Sequence, residues 1–221
     1  MTTKSPLLNK IEEGENQKQD FKHSITDSKK IARSLAAFAN TDGGRLLIGI
    51  RDNGSIAGIK SDEEYHMVEA AAQMYCKPEV NFTSRKWQIQ GKTVLEIKIP
   101  KSDHKPHSAP NKENVYRVYI RVKDQNLLAN QVLLKVWDRE KRLSGTYISF
   151  SKDEKHLLDY LENSAEISIG QFMKLVNIKR YQAIKTLVNL ISIKLLKINF
   201  TEKRVTYSLA DPQTFESNQE L

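Results

Sequence analysis

Several groups of basic side chains in this sequence are spaced to meet a phosphate backbone. Lys22, His23, Lys29, Lys30 and Arg33 lie around the first helical pattern. Arg117, Tyr119 and Arg121 alternate along a strand-like run, with Lys123 just beyond it, so that one aromatic ring stands between cations. Such cations neutralise phosphates, and such a ring stacks on a base or sugar. Further on, Lys179, Arg180, Gln182 and Lys185 occupy the polar face of a C-terminal helix, in its first two turns. Arg180 and Gln182 can pair with base edges, whereas Lys179 and Lys185 suit phosphates. Lys203 and Arg204 sit in a turn between two short strand patterns, where they would touch phosphate. The plain alternative for each group is a solvated face.

Three other features could carry chemistry. The turn Thr41-Asp42-Gly43-Gly44 could offer the backbone amides of Gly43 and Gly44 to a phosphate as a small nest, although a helix stop accounts for the same glycines. It is not a P-loop, because no Lys-Ser/Thr follows the glycines into a helix. His104 and His107 form an H-x-x-H pair, but zinc needs more ligands, and Cys76, the one cysteine, lies far away in sequence. Asp52 precedes Asn53-Gly54 at the end of a strand, where a carboxylate can face a cleft or simply favour the turn.

These side chains must be positioned by the stretch 34–59. It reads as the end of an amphipathic helix over 28–40, a glycine stop, a buried strand over 46–50, a tight turn at 52–54 and a return strand over 55–59. Residues 1–14 lead into a first short helix or strand. A second helix spans 61–76, its start marked by a Ser61/Glu64 capping pattern and its end by Pro78. Two β-prone runs, 80–89 and 93–99, are joined through Gln90-Gly91-Lys92. The polar, proline-containing segment 101–114 reads as a long exposed loop. In 116–122 the alternation points Tyr116, Val118 and Ile120 inward and Arg117, Tyr119 and Arg121 outward. Residues 130–142 are helical, and 147–150 form a short strand or linker. From residue 151 the period becomes three helices, about 151–161, 168–176 and 179–192, followed by a hairpin over 195–200 and 205–209.

The chain has 221 residues and a formal charge of +8, with a pI near 9.4, which favours an anionic partner. The excess is spread out: residues 1–150 carry 25 basic and 18 acidic side chains, and 151–208 carry 10 and 6. Residues 210–221, with three acids and no base, read as a disordered tail. No apolar run approaches the ~20 residues of a membrane helix, and no secretion signal is evident. A single cysteine suits a reducing cytoplasm.

The segment AFANTDGGRLLIGIRDNGSIAGI resembles the core signature of the Schlafen AlbA-type DNA-binding domain. Gly14-Glu15 with Asp20-Phe21-Lys22, Lys105-Pro106-His107 and YRVYIRV at 116–122 resemble further pieces of that family in the same order, over roughly residues 10–135. The resemblance implies an α+β fold, a mixed sheet with flanking helices. It also implies a site: in animal Schlafens that cleave RNA, three carboxylates occupy the positions of Glu15, Asp20 and Asp52, with Asp20 standing where Glu is usual. Such a trio could hold Mg²⁺ or Mn²⁺. Longer animal Schlafens resemble two such lobes in one chain, which implies that a single lobe pairs as a homodimer. The order of elements over 152–209 resembles the winged-helix family of DNA-binding domains.

The expectation is therefore a Schlafen AlbA-type domain over 1–145, a small winged helix-turn-helix domain over 151–209 and a tail. The expected function is nucleic-acid binding, with DNA favoured over RNA, in a cytoplasmic transcriptional regulator. The alternative is a divalent-metal-dependent nuclease using Glu15, Asp20 and Asp52.

Overall fold

A computed structural model describes residues 5–142 and 151–211. The expected strand or linker at 147–150 and the expected tail beyond residue 211 lie outside the described residues. The chain divides into two compact units, Met1–Ala129 and Asn130–Leu221.

In the first unit, helix α1 (Pro6–Glu12) starts on a proline, whose missing N–H costs nothing in the first turn. Its Leu7 is fully buried, with Ile11 one turn on packed beside Phe21, Leu47, Ile50 and Val94. Strand β1 (Gln19–Lys22) then runs parallel to β2 (Gly44–Ile48). Parallel neighbours need a crossover, and helix α2 (Ser28–Asn40) supplies it. Asp27 caps α2, its Oδ1 accepting from the backbone N–H groups of Lys29 and Lys30.

Every residue of α2 from Ser34 to Asn40 is buried. The helix lies between the sheet β1-β2-β4-β3, made with β3 (Thr83–Ile89) and β4 (Lys92–Ile99), and the sheet β5-β6-β7, made of β5 (Ser108–Pro110), β6 (Tyr116–Val122) and β7 (Gln125–Leu128). A helix covered on several sides has no solvent stripe, which is why Ala36, Ala37 and Ala39 suit it: small side chains let backbone approach. Helix α3 (Glu63–Met74) covers α2 on a further side.

Two expectations about loops are corrected. The return strand over 55–59 reduces to one bridge, Ile50 to Ile56. The backbone instead folds back on Gly49, whose carbonyl accepts from both Ala57 and Gly58, before Ile59 crosses to Thr93. Gly49 sits at φ +94°, and a Cβ there would meet Gly58 backbone at 2.8 Å. The segment 101–114 is not simply an exposed loop. It contains β5, with His107, Ala109 and Pro110 buried, because Ser108 and Lys77 exchange backbone hydrogen bonds and β6 pairs the other edge.

The second unit contains α4 (Gln131–Glu140), α5 (Lys152–Asn163), α6 (Ile169–Leu175), α7 (Arg180–Ser192) and a hairpin of β8 (Leu196–Phe200) and β9 (Val205–Leu209). Ser151 with Glu154 and Ser168 with Gln171 form the reciprocal caps of α5 and α6. Leu157, Phe172, Leu187, Leu190, Leu196 and Tyr207 centre its core. The sequence placed the helix at 130–142 in a first domain running to residue 145. In the structure Val132 and Val136 are buried in this second core, and α4 packs along α7. An i, i+4 apolar pair specifies a buried stripe but not which core it joins.

Candidate nucleic-acid interface

Helix α7 turns Ala183, Ile184, Leu187, Val188 and Leu190 to the core and leaves Lys179, Arg180, Tyr181, Gln182 and Lys185 exposed. Tyr181 is 68% exposed, an unusual state for a large ring. Beside it, a groove of about 400 Å³ is walled by Lys135, Asp138, Arg139 and Arg142 of the α4 side and by Tyr181, Lys185 and Asn189 of α7, over a floor of Ile184 and Val188. The Arg139 guanidinium donates to Asn189, and Arg142 pairs with Asp138 at 2.8 Å. Lys135 and Lys185 thus face the groove with one nearby carboxylate, already matched.

Sequence reasoning missed Tyr181, Lys135, Arg139 and Arg142. The signal for Tyr181 was present, an aromatic residue on a polar helix face; the other three were invisible because α4 had been assigned elsewhere. Gln182 is partly spent, its Oε1 accepting the Lys179 N–H at 3.0 Å. In the β8–β9 turn Lys203 is exposed. Arg204 instead pairs with Glu166, which also accepts from Thr206, so this arginine braces the hairpin.

The first unit contradicts part of the outward-facing reading of β6. Arg117 is exposed, but Tyr119 and Arg121 are 8% and 2% exposed. Tyr119 belongs to the core beneath α2. The Arg121 guanidinium donates to the carbonyls of Asn16 and Gln19 and to Asn126 Oδ1, stands 3.5 Å from Asp20 and lies over the Phe38 ring at 4.9 Å. Alternation failed here because β6 is covered on both faces at 119–121. Around α2, Lys22 is paired with Asp20 at 2.7 Å, Lys29 donates to Asn114, Arg33 is half-buried and Lys30 is exposed.

The signature residues turn out to join elements. The Asn40 amide donates to the carbonyls of His107 and Tyr119 and accepts from the His107 N–H, all within 2.8 Å. The Thr41 hydroxyl donates to Ala37 and accepts from the Arg121 N–H. His107 is buried between Pro78 O and Ser102 Oγ, while His104 is exposed. Burial pushes the Cys76 thiol up to about 12, so it is an inert core residue.

The family model of Schlafen, AlbA_2 matches residues 15–130. The chain belongs to this family. No curated protein matches the chain. Among solved structures, DIP2311 from Corynebacterium diphtheriae is similar at 21% identity over 59% of this chain, with TM-score 0.41; the match spans 25% of that protein. The N-terminal domain of an ATP-dependent DNA helicase RecG-related protein from Nitrosomonas europaea is similar at 21% identity over 59% of this chain and 97% of its own, with TM-score 0.38. No helix among the described residues is long and apolar enough to cross a membrane.

Within the AlbA_2 domain, Glu15 and Asp20 are hydrogen-bonded to one another, and Glu15 Oε1 also accepts the Phe21 N–H at 2.8 Å. Asp52 is exposed in the turn after Ile50 and is not gathered with them: among the described residues no three His, Cys, Asp or Glu side chains converge as a metal site. Asp20 already faces two cations, Lys22 and Arg121. Burial and the adjoining Asp20 raise the pKa of Glu15. Burial opposes the charge of Asp20 too, but Glu15, Lys22 and Arg121 outweigh it and hold its pKa below the ordinary value. Of the two, Glu15 is therefore the one that takes a proton more readily as pH falls.

The signs of stability follow. The Glu15 contribution is complete below its unfolded pKa and is lost as pH rises through the raised value, whereas that of Asp20 is lost as pH falls. Glu15→Gln keeps an acceptor for Phe21 and a donor for Asp20. Its urea midpoint at neutral pH should equal or exceed that of the parent, and the fall above the ordinary glutamate range should flatten. A midpoint that drops at neutral pH would show Glu15 to be needed as an anion.

The glycine turn, read either as a phosphate nest or as a helix stop, withholds one of the two amides a nest would use. The Gly43 N–H is used by Phe38 O at 2.9 Å. A Cβ on Gly43 would meet Ile99 O at 2.7 Å, and one on Gly44 would meet the Phe38 ring at 2.5 Å. These glycines are required by packing.

Proposed function

We propose that this protein binds nucleic acid, double-stranded DNA in particular, through α7 and the groove beside it, and serves as a transcriptional regulator. The observation that carries the reading is the exposed face of α7. Arg180, Tyr181 and Lys185 stand on it next to Lys135 across a groove whose acid is already paired. Three helices followed by a two-stranded hairpin support a winged helix, which reads bases from the N-terminal part of its third helix. The basic balance of the chain and its membership of the Schlafen AlbA_2 family point the same way.

Fluorescence anisotropy with duplex DNA tests it. Log K should fall linearly with log salt, and Lys135→Ala with Lys185→Ala should reduce the slope by about 2, one for each phosphate contact removed. Arg180→Ala should cost about 1–3 kcal/mol on a preferred site and much less on random sequence. Unchanged affinity and slope in these variants would remove α7 as the reader. Adding Mn²⁺ tests the nuclease alternative: cleavage lost in Asp20→Asn would establish it. Light scattering under the same conditions tests the homodimer.

A further inference from the structure

A second cationic site lies in the first unit, where β2 begins and β4 ends, near α1. A cavity of about 320 Å³ is lined by Lys10, Lys18, Arg45, Lys98 and Lys101, with Asp42 and Glu96. Glu96 is fully engaged, one oxygen with Lys10 and the other with the Trp87 N–H at 2.7 Å. Burial raises its pKa, but Lys10, Trp87 and Arg45 outweigh this and keep it ionised. Lys10 is thereby matched. Asp42 is exposed and accepts from Gln17. None of Lys18, Arg45, Lys98 and Lys101 has a salt-bridge partner among the described residues.

The register sharpens this. Arg45 on β2 is the direct cross-strand partner of Lys98 on β4. Like charges directly opposite destabilise a sheet, and the neighbouring pair in the same sheet obeys the rule, with Arg85 opposite Glu96. A repulsive pair flanked by two more unpaired lysines is stabilised when an anion sits between them. A phosphate suits cations converging from separate elements, since it accepts at several oxygens and arginine meets it with a fork.

We propose that Lys18, Arg45, Lys98 and Lys101 form a phosphate-binding site in the first unit, separate from the α7 face. Side chains do the binding, since the Gly43 amide bordering the cavity is already used. The phosphate belongs either to a nucleic-acid backbone or to a free phosphorylated ligand, and the two are separable.

The test is thermal unfolding of the full chain in low salt, with millimolar pyrophosphate against sodium chloride of equal ionic strength. The parent should melt higher with pyrophosphate. Arg45→Gln with Lys98→Gln should lose that rise, with pyrophosphate affinity reduced about tenfold or more, because charge-assisted bonds are removed. Without pyrophosphate this variant should melt close to the parent, since the repulsion of Arg45 with Lys98 and its attraction to Glu96 are lost together; that also confirms its fold. The Lys135→Ala, Lys185→Ala protein should keep the pyrophosphate response, which separates this site from the groove of the second unit. Binding of a 12-base-pair duplex then assigns the source. A salt slope reduced by about 2 in the Arg45→Gln, Lys98→Gln protein means backbone phosphates; an unchanged slope with the pyrophosphate response lost means a free ligand. A pyrophosphate response equal in parent and variant, or absent from both, overturns the proposal.

Discussion

Replacing Arg121 by methionine is expected to destabilise the protein by about 3–5 kcal/mol, the usual cost of breaking a buried charge pair from one side. The arginine is 2% exposed and satisfies the carbonyls of Asn16 and Gln19 while facing the buried carboxylate of Asp20. Methionine fills much of the volume over Phe38 but returns none of the hydrogen bonds. Lysine is not a rescue, because an ammonium on a flexible stem cannot span two carbonyls and Asn126 as the fork does. Urea unfolding gives the stability. Anisotropy under conditions where the variant is folded should show nucleic-acid affinity unchanged, because the guanidinium does not reach the surface. Parent-like stability with lost affinity would return Arg121 to the role the alternating pattern gave it.

Asn40→Leu should cost about 3–9 kcal/mol, since three buried backbone groups lose their partner at roughly 1–3 kcal/mol each. Those groups are the His107 N–H, the His107 carbonyl and the Tyr119 carbonyl. They lie on β6 and on the segment entering β5, so the amide of Asn40 fastens the end of α2 to the second sheet. Aspartate restores one acceptor but no donor, and adds a charge in a buried place. Amide exchange offers a local reading: His107 should be protected in the parent and exchange far faster in Asn40→Leu. Equal protection would show that strand pairing alone holds this segment.

Both predictions concern residues whose pattern resembles a binding family, and in both the side chain joins elements. The same holds for Gly43 and Gly44, which resemble a phosphate turn and are small because Ile99 and Phe38 leave no room. A motif tells which residue types occur at which spacing. It does not tell whether their polar atoms face solvent or one another, and here Asn40, Thr41, His107 and Arg121 spend theirs internally.

Much of the local structure was legible. Ser151/Glu154 and Ser168/Gln171 mark helix starts because a hydroxyl and a carboxylate or amide three residues on satisfy free N–H groups within one turn. Gln90 and Gly91, both at positive φ, make the β3–β4 turn as glycine in a short connector predicts. The α+β class, the family, the exposed residues of α7 and the basic balance all follow from information within a few residues or from composition.

What the tertiary structure decided is which faces are covered and by what. Strand β6 alternates as a one-sided strand should, yet the face that carries Tyr119 and Arg121 is itself covered, by α2 and by the segment from Asn16 to Asp20. Helix α4 carries an apolar stripe that fits either unit, and only packing against α7 assigned it and opened the groove holding Lys135 and Lys185. Lys18, Arg45, Lys98 and Lys101 are spread over 84 positions of sequence, and strand register alone sets Arg45 opposite Lys98. Local sequence fixes a side chain's direction along its own helix or strand through a short-range period; its neighbours are fixed by contacts between segments far apart in the chain, which no local period encodes.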